Sequence, residues 1–178
     1  MSGGFCEGVE QAGRFLRIKG RGYPATTQNG TLVAHPVDGS VTRGESTLHT
    51  AGCAVRQIAI EPADAAPPPA LLRSIKQADV VVLSPGSLFT SALPALLGAG
   101  VPAALAAFTG PVVYAANIMT QPGETTGFTL SDHLRAIAEH IGPSVTDVLV
   151  HSDELPARLL ASYRAEGAAP VKLSLIHI

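Results

Sequence analysis

The chain has no tryptophan, and aromatic residues make up only 4% of it. A core built around stacked rings is therefore excluded, and packing must rest on Ala, Val, Leu and Ile. Charge is also sparse. Charged residues are 15% of the chain, with 12 basic against 14 acidic side chains and a formal net charge of −2. Without a basic stripe, binding to nucleic acid is not expected. The only cysteines are Cys6 and Cys53, far apart and without a CxxC partner. That excludes a disulfide framework and a zinc cluster of the usual spacing, and it fits a reducing cytoplasm. The opening residues lack a basic segment followed by an apolar run, so no secretory signal is read. The longest apolar stretch, Leu93 to Val113, is broken by Pro94, Gly98, Gly100, Pro102 and Gly110. It cannot serve as a membrane span. No GxSxG elbow, Walker-type lysine loop or paired-histidine metal motif is present, so no metal site is expected.

What remains is an aliphatic chain of 178 residues, 46% hydrophobic, long enough for one domain with a sizeable core. Val9 to Ile18 has helical spacing of apolar residues, followed by a turn rich in Gly and Pro. Thr31–His35 and Val41–Glu45 alternate apolar and polar residues around Asp38-Gly39, a strong hairpin signal. Ala54–Ile60 reads as a third strand. Pro67-Pro68-Pro69 leads into a helix over Ala70–Gln77, where proline's missing N–H costs nothing in the first turn. From Asp79 onward, short apolar strands alternate with helices. The strands are Val80–Leu83, Val112–Ala116 and Val148–His151. The helices are Thr90–Leu97, Pro102–Ala107, Ser131–Ile141 and Leu155–Ala165. Thr129 with Asp132 fits a capping box. This alternation predicts an α/β fold, a doubly wound and mostly parallel sheet carrying an inserted β-hairpin.

In such sheets ligands bind beyond the carboxyl ends of the strands. Two strand ends carry unusual loops. In the first, Ser84-Pro85-Gly86-Ser87-Leu88-Phe89-Thr90-Ser91, Gly86 permits close backbone approach. Ser87, Thr90 and Ser91 place hydroxyls near an expected helix start, whose free N–H groups attract phosphate. Such a loop can equally be a capped strand-to-helix turn. The second loop runs from Asn117 through Thr120, Gln121, Pro122, Gly123 and Glu124 to Thr125. Asn117 and Gln121 can read a base or sugar edge. Glu124 can bind a hydroxyl or serve in acid–base chemistry. Arg43, at the hairpin's end, can meet a phosphate, or equally be a solvated strand end. His133, close to the second loop, can line the site, although a surface or core role suits it, His49, His140 and His151 better.

Taken together, Ala78–Ser91 and Asn117–Thr125 resemble the signature loops of one family. Lys19-Gly20-Arg21, Pro24-Ala25-Thr26, Arg43-Gly44-Glu45-Ser46, Ser131-Asp132-His133 and Tyr163–Gly167 match as well. The chain is similar to the gluconeogenesis factor (YvcK-like) branch of the CofD-like superfamily. The resemblance implies a Rossmann-like fold, a cytoplasmic location and a nucleotide-sugar ligand such as UDP-N-acetylglucosamine. It implies a regulatory role in carbon metabolism, cell shape and peptidoglycan synthesis, and ligand contacts from Pro85, Gly86, Ser87, Leu88, Thr90, Ser91 and the second loop. The sister branch is 2-phospho-L-lactate transferase, an enzyme that uses a nucleotide-linked donor and magnesium. Magnesium is expected only under that alternative. A homo-oligomer is compatible with either.

Two departures accompany the resemblance. The family's first loop usually begins Gly-Pro-Gly, whereas this chain has Ser84. The family's glycine-rich phosphate loop and aspartate-rich segment have no counterpart here, so residues 1–172 are read as the C-terminal portion of a single domain, incomplete at its N-terminus. An inactive gene fragment is the remaining alternative. Leu173–Ile178 reads as the translation of a sequencing adapter, an expected non-native tail.

Overall fold

The computed structural model describes residues 4–36, 39–44 and 55–173. Asp38, Glu45, Ser46, His49, Cys53 and the tail beyond Leu173 lie outside these residues. Helix α1 (Phe5–Phe15) leads through a coil to β1 (Thr31–Pro36), β2 (Thr42–Arg43) and β3 (Val55–Glu61). Helix α2 (Pro69–Gln77) then precedes β4 (Val81–Leu83). Two short irregular turns, Leu88–Ala92 and Pro94–Leu96, lead to α3 (Val101–Ala106) and β5 (Val112–Ala115). Helix α4 (Leu130–Ile141), β6 (Asp147–Leu149) and α5 (Ala157–Ala165) complete the order.

The fold is α/β, with two sheets of three strands. The parallel sheet, ordered β4-β5-β6, is the Rossmann-like part. The expected hairpin forms, with Val33 opposite Arg43 and Ala34 opposite Thr42. It is not a lone insertion, because β3 pairs along the whole other side of β1 and makes a separate antiparallel sheet, β2-β1-β3. Both sheets feed one core. Ala34, Val55 and Ile58 from the antiparallel sheet pack with Leu83, Val112 and Tyr114 from the parallel one, and with Phe89, Leu93, Ile137 and Ile141.

A long-range hydrogen bond joins the halves. The edge of β3 presents its Ile58 N–H outward, and His140 Nε2 on α4 accepts it at 3.0 Å. His140 Nδ1 lies 2.6 Å from the Ala136 carbonyl oxygen, which can only accept. The ring is thus fixed with its proton on Nδ1, and an edge that would otherwise be open is closed by a side chain. Gly98 makes a second joint. A Cβ there would collide with the carbonyl oxygen of Ala25, so only glycine lets the coil before β1 lie against the segment before α3. The Pro24-Ala25-Thr26 motif is therefore a packing feature.

Several elements differ from the sequence reading. Helix α1 starts and stops earlier than expected and buries none of its residues, leaving Phe5, Phe15 and Leu16 exposed. The expected helix Thr90–Leu97 is instead a π-helical turn, Leu88–Ala92, followed by a 3-10 turn, Pro94–Leu96. Pro94 has no N–H to continue an α-helical ladder. Helix α5 begins after Pro156 rather than at Leu155. The parallel strands are not buried on both faces. Val82 is 57% and Leu149 65% exposed. The capping box is present: Asp132 N–H donates to Thr129 Oγ1, and Thr129 N–H donates to Asp132 Oδ2 at 2.8 Å. No described helix is long and apolar enough to cross a membrane.

Candidate functional site

Strands β4 and β5 are adjacent and parallel, with Leu83 beside Tyr114. Their carboxyl ends therefore release the two signature loops side by side. Four hydrogen bonds fasten the loops together. Asn117 Nδ2 donates to the Gly86 carbonyl at 2.8 Å, and Ser87 Oγ donates to Gln121 Oε1 at 2.7 Å. Thr90 Oγ1 donates to Glu124 Oε1 at 2.9 Å, and the Phe89 N–H donates to Glu124 Oε2 at 3.2 Å. Gln121 Nε2 also donates to Glu124 Oε1, at 3.3 Å.

This bracing assigns different roles to residues that looked alike in sequence. Glu124 is only 2% exposed, and its carboxylate receives three donors. It works as a clamp between the loops. The helix start expected to attract phosphate is already served by that carboxylate, since Glu124 takes the Phe89 N–H. Thr120 and Thr125 are buried staples. Thr125 Oγ1 accepts the Gln121 N–H at 2.8 Å, and Thr120 Oγ1 accepts the Ala169 N–H at 3.0 Å. Gly123 has φ of 84°, a left-handed turn that lets Pro122-Gly123 reverse the chain. Leu88 is buried in the core.

Other groups on the same wall stay uncommitted. The N–H groups of Gly86 and Ser87 and the hydroxyls of Ser84 and Ser91 make no hydrogen bond with other described residues. Ser84, Pro85, Gly86 and Ser91 line a hollow of about 210 Å³, floored by Leu83, Leu93 and Tyr114. Tyr114 is 1% exposed, and burial pushes its phenol up to about 12, so it stays a neutral donor to Asn117 Oδ1 at 3.2 Å. Arg43 is in the other sheet, on edge strand β2. Its guanidinium meets Glu61 through Nε and Nη2, both at 3.3 Å.

His133 is 1% exposed and faces the edge of Phe128 with ring centroids 5.5 Å apart. Its Nδ1 donates to the Thr129 carbonyl at 2.9 Å, while Nε2 is buried without a hydrogen-bond partner. Burial, opposed by the Thr129 carbonyl and the Asp132 charge, lowers its pKa. It is a core histidine beside the second loop.

A second cleft, about 240 Å³, opens beyond the carboxyl ends of β5 and β6. Asn117 and Ile118 form one side, and Val150, His151 and Asp153 another. His151 was read in the sequence as a surface or core histidine, and it is exposed; Asp153 was not singled out. The signal that singled out Asn117, a polar residue just past a short apolar parallel strand, applies equally to them. No group of three metal-ligating side chains occurs among the described residues.

The comparisons with known proteins agree with the loops. The family model for 2-phospho-L-lactate transferase CofD matches residues 1–177. This chain belongs to the CofD family. It is 38% identical over 172 residues to the gluconeogenesis factor of Halalkalibacterium halodurans, covering 96% of this chain and 53% of that protein. It is 34% identical over 176 residues to the gluconeogenesis factor of Bacillus subtilis, covering 98% of this chain and 56% of that protein. A crystal structure of a Bacillus halodurans protein superposes with a TM-score of 0.91 at 38% identity, covering 96% of this chain and 56% of that one. The chain spans about half the length of the curated relatives it matches.

Proposed function

We propose that this chain forms one wall of a nucleotide-sugar site in a regulatory protein of the gluconeogenesis factor type. The observation that carries the reading is the split between committed and uncommitted groups on the paired loops. Glu124, Thr90 and Gln121 brace the wall, so the carboxylate best suited to acid–base work is enclosed among donors. Ser84 Oγ, Ser91 Oγ and the N–H groups of Gly86 and Ser87 supply donors for phosphate oxygens, the pattern of a binding site with no general base built in. UDP-N-acetylglucosamine is the ligand class, and control of carbon metabolism, cell shape and peptidoglycan synthesis in the cytoplasm is the role. Calorimetric titration with UDP-N-acetylglucosamine is expected to give saturable binding. No heat at millimolar ligand would overturn the reading. The family model's own description favours a second reading, transfer from a nucleotide-linked donor with magnesium. Turnover of a nucleotide-phospholactate donor with a deazaflavin acceptor would establish that reading in place of the first.

A further inference from the structure

A third cleft, about 450 Å³, lies between α1, the turn that follows it and the start of α2. It shares no lining residue with the signature loops. Its wall is built by the end of the helix. Cys6, Val9 and Gly13, three and four residues apart, form the half-buried face of α1. The helix then stops in a Schellman turn. Arg17 N–H donates to the Arg14 carbonyl and Ile18 N–H to the Gly13 carbonyl, both at 3.1 Å. Arg17 takes φ of 51° there, a left-handed conformation that favours glycine. The reversal lays Ile18 against Gly13 and sends Gly20 to Pro24 along the cleft. Gly22 completes the fit, since a Cβ there would stand 3.2 Å from Val9. The Lys19-Gly20-Arg21 motif, which the paired loops leave unused, thus borders a cavity of its own.

Charge selects the sign of the ligand. Glu10, Arg14 and Arg21 line the cleft. Glu10 accepts from Arg14 at 3.0 Å, so those two offset one another. Arg21 makes no ion pair with other described residues, and its cation is unopposed. The Tyr23 phenol responds to the same field. Side-chain hydrogen bonding with Ser74, then with Arg21, lowers its pKa, and the charges of Arg21 and Arg73 act in the same direction. Backbone donors add to the cation. The N–H groups of Gly20, Arg21, Gly22 and Tyr23 make no hydrogen bond with other described residues. Opposite them, Val9, Ile18, Pro24 and Pro68 supply apolar surface. At about 450 Å³ the space falls inside the roughly 300–1,000 Å³ range of small-molecule sites. One unopposed guanidinium matches one negative charge, and its planar fork matches a carboxylate.

We infer that this cleft binds a small monocarboxylate with an apolar body, its carboxylate held by Arg21 and the neighbouring backbone N–H groups. The site is independent of the nucleotide-sugar reading. 4-Phenylbutyrate is the probe, titrated into the isotope-labelled chain with amide shifts followed by NMR. Saturable shifts at Val9, Ile18, Gly20 and Gly22 are expected. 4-Phenylbutyramide keeps the shape and loses the charge, and should bind about tenfold more weakly. Acetate keeps the charge and loses the body, and should also bind at least about tenfold more weakly. Arg21→Gln is expected to weaken the acid about tenfold and to leave the amide nearly unchanged. If that variant loses its dispersed spectrum, the comparison of acid with amide on the natural chain decides. No saturable shift at millimolar probe, shifts centred elsewhere, or equal affinity for acid and amide would overturn the inference. Acetate binding as tightly as the probe would overturn the apolar body. Added UDP-N-acetylglucosamine is expected to leave the probe's affinity unchanged. Competitive displacement by it would place the cleft within the nucleotide site and overturn its independence.

Discussion

The two signature loops and the neighbouring cleft lie on the same edge of the parallel sheet, yet they hold their polar groups in opposite ways. In the loops, polarity is turned inward: Glu124, Thr90, Thr120 and Thr125 are buried and bonded to one another or to backbone. In the cleft, polarity is turned outward: His151 and Asp153 are exposed and make no hydrogen bond or ion pair with other described residues. A buried polar group without a partner costs free energy, so the loops had to satisfy theirs internally. Exposed groups carry no such demand and remain available. A loop crowded with polar residues is thus, for the most part, a scaffold, and its ligand-facing part is the few donors left over.

That contrast makes predictions of graded size. The largest concerns the clamp. Glu124→Leu leaves the Thr90 hydroxyl, the Phe89 N–H and the Gln121 amide without their acceptor, and a loss of roughly 3 kcal/mol is expected in urea denaturation. A loss near zero would show that the loops are not braced as described. Next is the capping box. Thr129→Ala removes the acceptor of the Asp132 N–H, with an expected cost of about 1 kcal/mol measured the same way.

Acid should act through the same corner of the fold. The His133 pKa is lowered, mainly by burial, so protonation favours the unfolded chain. Its contribution is complete above the ordinary value of 6.5 and is lost as pH falls below it. Asp132 is held below 3.8, first by the Thr129 N–H, then by the Thr129 hydroxyl and Arg135. Its contribution is present above that value and is lost as pH falls through the lower folded one. Thermal melts are therefore expected to drop in two stages on acidification, and His133→Leu should flatten the first. An unchanged first stage in that variant would assign the drop to another group. The smallest effect is expected in the cleft. His151→Ala and Asp153→Ala should change stability by no more than about 0.5 kcal/mol, because neither side chain has a partner to lose among the described residues. A larger loss would mean that the cleft's polar groups support the fold after all.

Local signals were read well in the sequence. Thr129 and Asp132 sit three apart and form the box they spell, and the proline run does open α2. The paired loops were also legible as a unit, since both follow short apolar strands. What sequence could not supply was the outcome of distant contacts. The turn after Ser87 becomes π-helical while its Phe89 N–H goes to Glu124, 35 residues away. Local spacing of Thr90 to Leu97 reads as an α-helix and holds no trace of that bond. The His140 bond to Ile58 spans 82 residues and was equally hidden. Asp153 was not singled out, and His151 was read only as a surface or core histidine, because polar residues after a short strand look like any solvated turn until a helix and a returning segment lie beside them.

The central claim is that the uncommitted donors of the first loop hold the diphosphate of a nucleotide sugar. A crystal structure of the chain with UDP-N-acetylglucosamine tests it most directly. The account predicts diphosphate oxygens within about 2.7–3.2 Å of the Gly86 and Ser87 N–H groups and the Ser84 or Ser91 hydroxyl. A diphosphate bound away from this loop, with those donors still turned to solvent, would contradict it.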